Sequence, residues 1–184
     1  IYAKVDPGAA LFNIVLQFYC ITLLYLQSAL FKKSSMRKEL ETIQDYLKIQ
    51  KFRYGEILED HYDIEKDCEP YLVPKLIFQP LVENSLYHGI RPKGEKGEIL
   101  VSAHLKDQKL CLSVYDTGIG MSPEKLEQVL SSSPTGFGLK KTLERLQYLY
   151  GEKDCYQIES QEGSFCRITL YLPLEKSLPE QSFL

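Results

Sequence analysis

Residues 99–120 read ILVSAHLKDQKLCLSVYDTGIG: two apolar-rich runs separated by the polar turn Lys106-Asp107-Gln108-Lys109 and closed by Asp116-Thr117-Gly118-Ile119-Gly120. Leu110, Leu112 and Val114 recur at every second position, the period of a strand with one face on a core. The spacing predicts a β-hairpin, Ile99 to Leu105 against Leu110 to Asp116, whose second strand ends in an acid and a glycine-containing turn.

Working outward, the same signals predict the other elements. Downstream, Ser122-Pro123-Glu124 is a helix start, with a capping oxygen, a proline at the first helical position and an acid in the first turn, for a short helix ending near Ser131. Leu139, Leu143, Leu146 and Tyr150 follow helical spacing up to Gly151. Gln157 to Ser160 and Phe165 to Leu172 form a second hairpin around Glu162-Gly163, with Cys166, Ile168, Leu170 and Leu172 inward. Upstream, Val73-Pro74 opens a helix to about Ile90, bearing Leu76, Ile77, Leu81 and Leu86, with a kink expected at Pro80.

Glu56 to Glu65 reads as a strand with Leu58, Tyr62 and Ile64 on one face and Asp60 as the polar exception. His61 then falls on the other face, as an exposed strand residue. A further helix, Arg37 to Phe52, places Leu40, Ile43, Leu47 and Phe52 near one stripe, with Glu39, Glu41, Asp45, Lys48 and Lys51 mostly elsewhere, and Gly55 ends it. Because hairpins join consecutive strands, the expected fold is α+β: a two-layer sandwich of a mixed, mostly antiparallel sheet against helices, not a doubly wound parallel sheet.

The 184 residues, with 22 Lys+Arg against 25 Asp+Glu, have room for one core-bearing domain plus a helical appendage. An isoelectric point near 5.7 gives no basic field for a polyanion, so nucleic acid is not an expected partner. The 5 cysteines form no CxxC pair and no cluster with histidine, and read as reduced thiols of a cytoplasmic domain without a structural metal. Residues 9–31 carry no charge and run into Lys32-Lys33. They fit either a membrane span ending in cytoplasmic lysines or a packed, dimeric bundle helix, the latter suggested by Asn13, Gln17, Thr22, Gln27 and Ser28. The run is not expected to be a signal peptide, because no small-residue cleavage site follows it. The expected division is a helical dimerisation or membrane-proximal segment at 1–52, the α+β domain at 53–176 and a tail at 177–184.

Three short motifs carry chemistry: Glu83-Asn84 followed by His88-Gly89, then Asp116 to Gly120, then Gly136-Phe137-Gly138-Leu139. Gly136 and Gly138 stand at a helix head, where free backbone N–H groups and the helix dipole favour phosphate. Gly118 and Gly120 would let the backbone approach a flat base. An ionised Asp116 only accepts hydrogen bonds, so on the floor of an apolar pocket it suits an exocyclic amine such as that of adenine. Asn84 offers an amide oxygen, a hard ligand for Mg²⁺, and Glu83 can act as a general base or orient the receiving nucleophile.

Residues 80–89, PLVENSLYHG, resemble the N box of the sensor histidine kinases, Asp116 to Gly120 their G1 box and Thr135 to Leu139 their G2 box. The stretch from Glu39-Leu40-Glu41 through Asp45-Tyr46-Leu47 to Gln50-Lys51-Phe52-Arg53-Tyr54-Gly55 resembles the LytS/YehU-type branch, whereas the three boxes are shared by the whole GHKL group. The resemblance implies a Bergerat-type ATP-binding domain and a dimeric helical segment in which a histidine takes the γ-phosphoryl group from Mg-ATP and passes it to a response regulator. By position it implies Asn84 for Mg²⁺, Glu83 for activation, Asp116 for the adenine amine, and Gly118, Gly120, Gly136, Gly138 and Leu139 for the loops around ATP. It places His88 and Lys140 near the phosphates, and a lid between Gly120 and Gly136. A cytoplasmic domain of a homodimeric, membrane-anchored protein is the expectation that follows.

Two departures from the pattern stand out. Where this branch carries an acceptor motif like Asn-Pro-His-Phe-Leu-Phe-Asn, residues 6–13 read DPGAALFN, and the 3 histidines, His61, His88 and His104, all lie in the α+β domain. Cys166 stands where related domains often place a threonine near the adenine. The alternatives are therefore a non-catalytic ATP-binding scaffold and a serine kinase of the anti-sigma-factor kind, the latter opposed by the Tyr46 to Gly55 stretch.

Overall fold

The computed structural model describes residues 32–130, 137–151 and 155–176. The expected N-terminal helix at 9–31, Gly136 and the tail at 177–184 lie outside them. In chain order the elements are β1 (Lys33–Ser35), α1 (Met36–Tyr54), β2 (Leu58–Ile64), β3 (Leu72–Pro74), α2 (beginning at Gln79–Asn84), β4 (Gly97–Lys106), β5 (Lys109–Asp116), α3 (Pro123–Leu130), α4 (Phe137–Tyr150), β6 (Tyr156–Gln161) and β7 (Phe165–Pro173).

β5 is the middle strand of a five-stranded sheet ordered β2-β4-β5-β7-β6. Only the β2–β4 pair is parallel; the other three are antiparallel, so the sheet is mixed and mostly antiparallel as its hairpins required. Alternate side chains enter one core: Ile99, Val101 and Ala103 of β4, Leu110, Leu112 and Val114 of β5, and Ile168, Leu170 and Leu172 of β7. Leu81, Val82 and Leu86 of α2 and Leu139, Leu143 and Leu146 of α4 form the second layer. The β4–β5 turn places Asp107 (φ 50°) and Gln108 (φ 57°) both in the left-handed region, the two-residue turn whose twist matches that of the strands. Parity in β5 carries past Val114 to Asp116, which puts a carboxylate on the buried face at the end of the strand.

α1 extends from a Ser35 cap, whose hydroxyl accepts the Lys38 N–H, to Gly55 (φ 61°), whose N–H returns to the Lys51 carbonyl. Its buried positions are Met36, Glu39, Ile43, Leu47 and Gln50. Phe52, expected on the stripe, is 95% exposed, because five residues past Leu47 the helix has turned about 140° away. Glu39, expected on the polar face, is buried, and its carboxylate accepts the Ile77 N–H at 3.3 Å. Burial pushes that carboxyl up despite the backbone donors it receives. In urea unfolding, Ile43→Ala is expected to cost about 2–5 kcal/mol and Phe52→Ser to stay within about 0.5 kcal/mol; comparable costs would restore Phe52 to the core.

α2 begins five residues after the proline expected to open it. Val73 and Pro74 are extended in β3, paired antiparallel with β1, and a residue before proline disfavours helix. Leu76 then takes φ 56°, a turn that Glu39 secures from α1 while Arg145 of α4 donates to the Lys75 carbonyl at 3.0 Å. Pro80 falls in the first turn of α2, where its missing N–H costs nothing, so no kink arises there. The irregularity comes later. Ser85–Ile90 is π-helical and leads into the short turn Arg91–Lys93, in which Pro92 has no N–H to offer an α-helical register. The two-stranded β1–β3 sheet was not expected from sequence; strands of three residues are too short to show alternation.

Candidate functional site

Asp116 is 1% exposed, and burial pushes its carboxyl up to about 6 against the donors it holds, the Ser85 side chain and the Gly118 N–H at 3.0 Å. Two oxygens offer about four lone-pair sites, so the carboxylate keeps acceptor capacity beyond those two partners. A cavity of about 680 Å³ opens above it, with Glu83, Asn84 and His88 of α2, Gly120 of the β5–α3 loop, Gly138 and Leu139 of α4, and Cys166 of β7 on its walls. Asp116 and Cys166 are cross-strand partners, and burial together with that carboxylate pushes the Cys166 thiol up to about 12, keeping it protonated.

The glycines are fixed by the protein around them. A Cβ on Gly89 would lie 2.5 Å from an Asp116 oxygen, and one on Gly118 would penetrate the backbone of Gly89, whose carbonyl accepts the Ile119 N–H at 3.1 Å. Gly120 (φ 58°) presses against the β6–β7 turn, where a Cβ would sit 2.7 Å from the Phe165 carbonyl oxygen and closer still to that of Gln161. The missing side chains of Gly118 and Gly120 thus make room for Gly89 and for a neighbouring hairpin, and Gly120 also lines the cavity. Gly138 is the contrasting case, since a Cβ there meets nothing within 4 Å.

Further bonds hold the loop from both sides. Lys93 donates to the Thr117 carbonyl at 2.9 Å, and the Met121 N–H donates to the Ser160 hydroxyl at 2.8 Å. Glu83 is oriented from one turn earlier in α2 by Gln79, whose amide donates to its carboxylate at 2.9 Å.

The structure thus brings Glu83, Asn84, His88, Asp116, Gly120, Gly138 and Leu139 to one cavity. Gly118 lies behind the wall. Lys140 is not on the wall either; its ammonium lies 3.8 Å from Glu144 on the next helical turn. Among the described lining residues the lysine is Lys125, on α3, joined by Tyr87, Ile119, Met121 and Glu162, none of which sequence reasoning selected. Ile119, a large apolar side chain 39% exposed beside the acid, is the one with a signal, since it stands in the quoted motif where a solvated turn would not want it.

Helices on one face of a mixed sheet, with a buried carboxylate beneath interlocked glycine turns, define a class, and the family comparison agrees: the chain belongs to the histidine kinase-, DNA gyrase B-, and HSP90-like ATPases, whose model matches residues 72–176. Within that family the similarity is to LytS-type sensor proteins. Sensor protein LytS of Staphylococcus saprophyticus is 36% identical over 140 residues, covering 73% of this chain and 24% of that protein. Sensor histidine kinase YpdA of Escherichia coli is 37% identical over 119 residues, or 64% and 21%. The chain therefore spans about a quarter of the length of these curated relatives. Among solved structures, the catalytic domain of histidine kinase ThkA superposes with a TM-score of 0.57 at 14% identity, over 78% of this chain and 98% of that one. Acinetobacter baumannii histidine kinase AdeS gives 0.55 at 16%, over 92% and 87%. At such identities these two establish the fold. Among the described residues no helix is long and apolar enough to cross a membrane.

Proposed function

We propose that the chain is the ATP-binding, phosphoryl-donating part of a LytS-type sensor histidine kinase of a two-component system. The observation that carries the reading is the buried Asp116 carboxylate, with unspent acceptor capacity, on the floor of a cavity whose wall carries Glu83 and Asn84. Asp116 takes the hydrogen bond of the adenine amine, and the depth of the floor selects a flat base with an exocyclic donor. Gly138, open on the helix head of α4, leaves backbone N–H groups accessible to phosphate, and His88 and Lys125 add donors on the cavity wall.

Asn84 offers the amide oxygen that would hold Mg²⁺, which would supply positive charge against the phosphates. Glu83, held by Gln79, accepts the proton of the incoming nucleophile. That nucleophile is a histidine supplied from outside these 184 residues, whose 3 histidines are placed otherwise: His61 is exposed on a strand, His104 is paired with Asp63 at 3.1 Å, and His88 lines the cavity. A response regulator receives the group next, and the full-length protein acts as a membrane-anchored homodimer.

The absence of histidine from residues 6–13 favours one second reading, an ATP-binding scaffold that signals by shape alone. Incubation of the chain with Mg²⁺ and γ-labelled ATP, together with a histidine-bearing segment of a LytS-type kinase, separates the two. Acid-labile label on that segment, reduced at least about a hundredfold by Asn84→Ala, is the expected result. Nucleotide binding without any label would establish the scaffold.

A further inference from the structure

We propose that Glu59, His61 and Glu98 form a binding site for a divalent transition-metal ion of the zinc class, on the sheet face opposite the helices and separate from the nucleotide cavity. Glu59 and His61 are two residues apart on β2 and so project to the same side. Glu98 is the register partner of Glu59 across the parallel β2–β4 pair. One ligand atom from each of the three lies within 4.8 Å of the others, and among the described residues no other group of three His, Cys, Asp or Glu side chains meets that spacing. Around a tetrahedral zinc ion, ligand atoms stand about 3.4 Å apart, so closure needs small rotations of side chains that are exposed or half-buried, with Glu59 turning from its ion pair with Lys96.

The backbone beneath them is fixed. The β2–β4 ladder runs from Leu58↔Gly97 to Ile64↔Ala103, and Glu98 is held again by Thr117: its N–H donates to the Thr117 hydroxyl at 2.9 Å, and its carbonyl accepts the Thr117 N–H at 3.1 Å. Ligands on a rigid frame lose little entropy when the ion arrives. The donor set selects the ion class. One imidazole nitrogen with two carboxylate oxygens suits Zn²⁺, Co²⁺ or Mn²⁺, whereas Mg²⁺ and Ca²⁺ prefer oxygen throughout. Lys96 already holds a positive charge against Glu59, and a dication placed between two carboxylates replaces that single charge with a stronger one. Three protein ligands leave a position for water or an incoming group. Sequence reasoning left His61 without a partner because Glu98 is remote in the chain and only the parallel pairing brings the two together.

The test titrates the whole chain, reduced and free of nucleotide, with Co²⁺ and then Zn²⁺. Expected are one ion per chain at micromolar dissociation constant, a cobalt spectrum without thiolate bands, and a zinc-dependent shift of the His61 ring resonances in the unaltered protein. His61→Ala and Glu98→Gln should each weaken binding at least about tenfold, with the melting temperature unchanged, while Cys111→Ser should leave binding as it was. No saturable binding below about a millimolar, a His61 resonance that does not respond, or binding lost with Cys111→Ser would overturn the proposal. None of these readouts depends on phosphoryl transfer, so the assignment stands or falls apart from the function proposed above.

Discussion

Asp116→Asn is expected to abolish nucleotide binding and, at pH 7, to raise the melting temperature of the nucleotide-free protein. The stability effect follows from burial. A carboxyl pushed up to about 6 from its ordinary 3.8 is less favourable as an anion inside the fold than in the unfolded chain. Linkage fixes the sign. Between those values the native state holds the extra proton, so stability falls as pH rises towards 6 and stays low above it, at a cost on the order of 3 kcal/mol by pH 7. Asparagine resembles the protonated acid and removes that cost, worth several degrees in a domain of this size. The advantage of the variant should therefore disappear near pH 4, where the wild-type carboxyl is itself protonated, and a thermal melt across pH reads it directly.

The binding effect has the opposite sign. With the Gly118 N–H occupying Oδ1, the asparagine amide turns its NH₂ towards the cavity, donor against donor with an adenine amine. Loss of at least about a hundredfold in ATP affinity is expected by calorimetry. In the wild-type protein affinity should fall as pH drops through about 6, because the acceptor is then protonated. Tight binding by Asp116→Asn would remove Asp116 from the base site.

The second large effect is expected at Gly120. Alanine there must hold φ near 58° and force a methyl into the Gln161 and Phe165 carbonyls, so β6 and β7 have to separate from the loop. The left-handed backbone alone costs about 1–2 kcal/mol, and with displacement of the hairpin the total should exceed about 4 kcal/mol, enough to remove cooperative unfolding or lower its midpoint by ten degrees or more. Gly138→Ala is the control: open space and a helical position predict a stability change between zero and a gain of about 1 kcal/mol. Equal losses at both glycines would mean that the loop, and not the steric contact, sets the cost.

These two sites also mark how far the sequence could be read. Sheet and hairpins were legible because Leu110, Leu112, Val114 and their counterparts in β7 alternate on a single buried face, and parity alone takes that face on to Asp116. The motifs that meet at the cavity were legible as residue types with a common chemistry. What Gly118 and Gly120 accommodate was not, since Gly89 and Gln161 approach them only through tertiary packing. Phase was the other weakness: a five-residue step misplaced Phe52. Glu39 was hidden for a different reason, because its backbone partner Ile77 belongs to a turn that hydrophobic periodicity read as helix.

The turn at Lys75 to Ile77 is grasped from two directions, by Glu39 on α1 and by Arg145 on α4, and it leads at once into α2. No glycine lies between Leu72 and Gln79 to serve as a hinge. The first helix and the helix before the last hairpin thus share one clamp, and it sits at the root of the wall that carries Glu83 and Asn84.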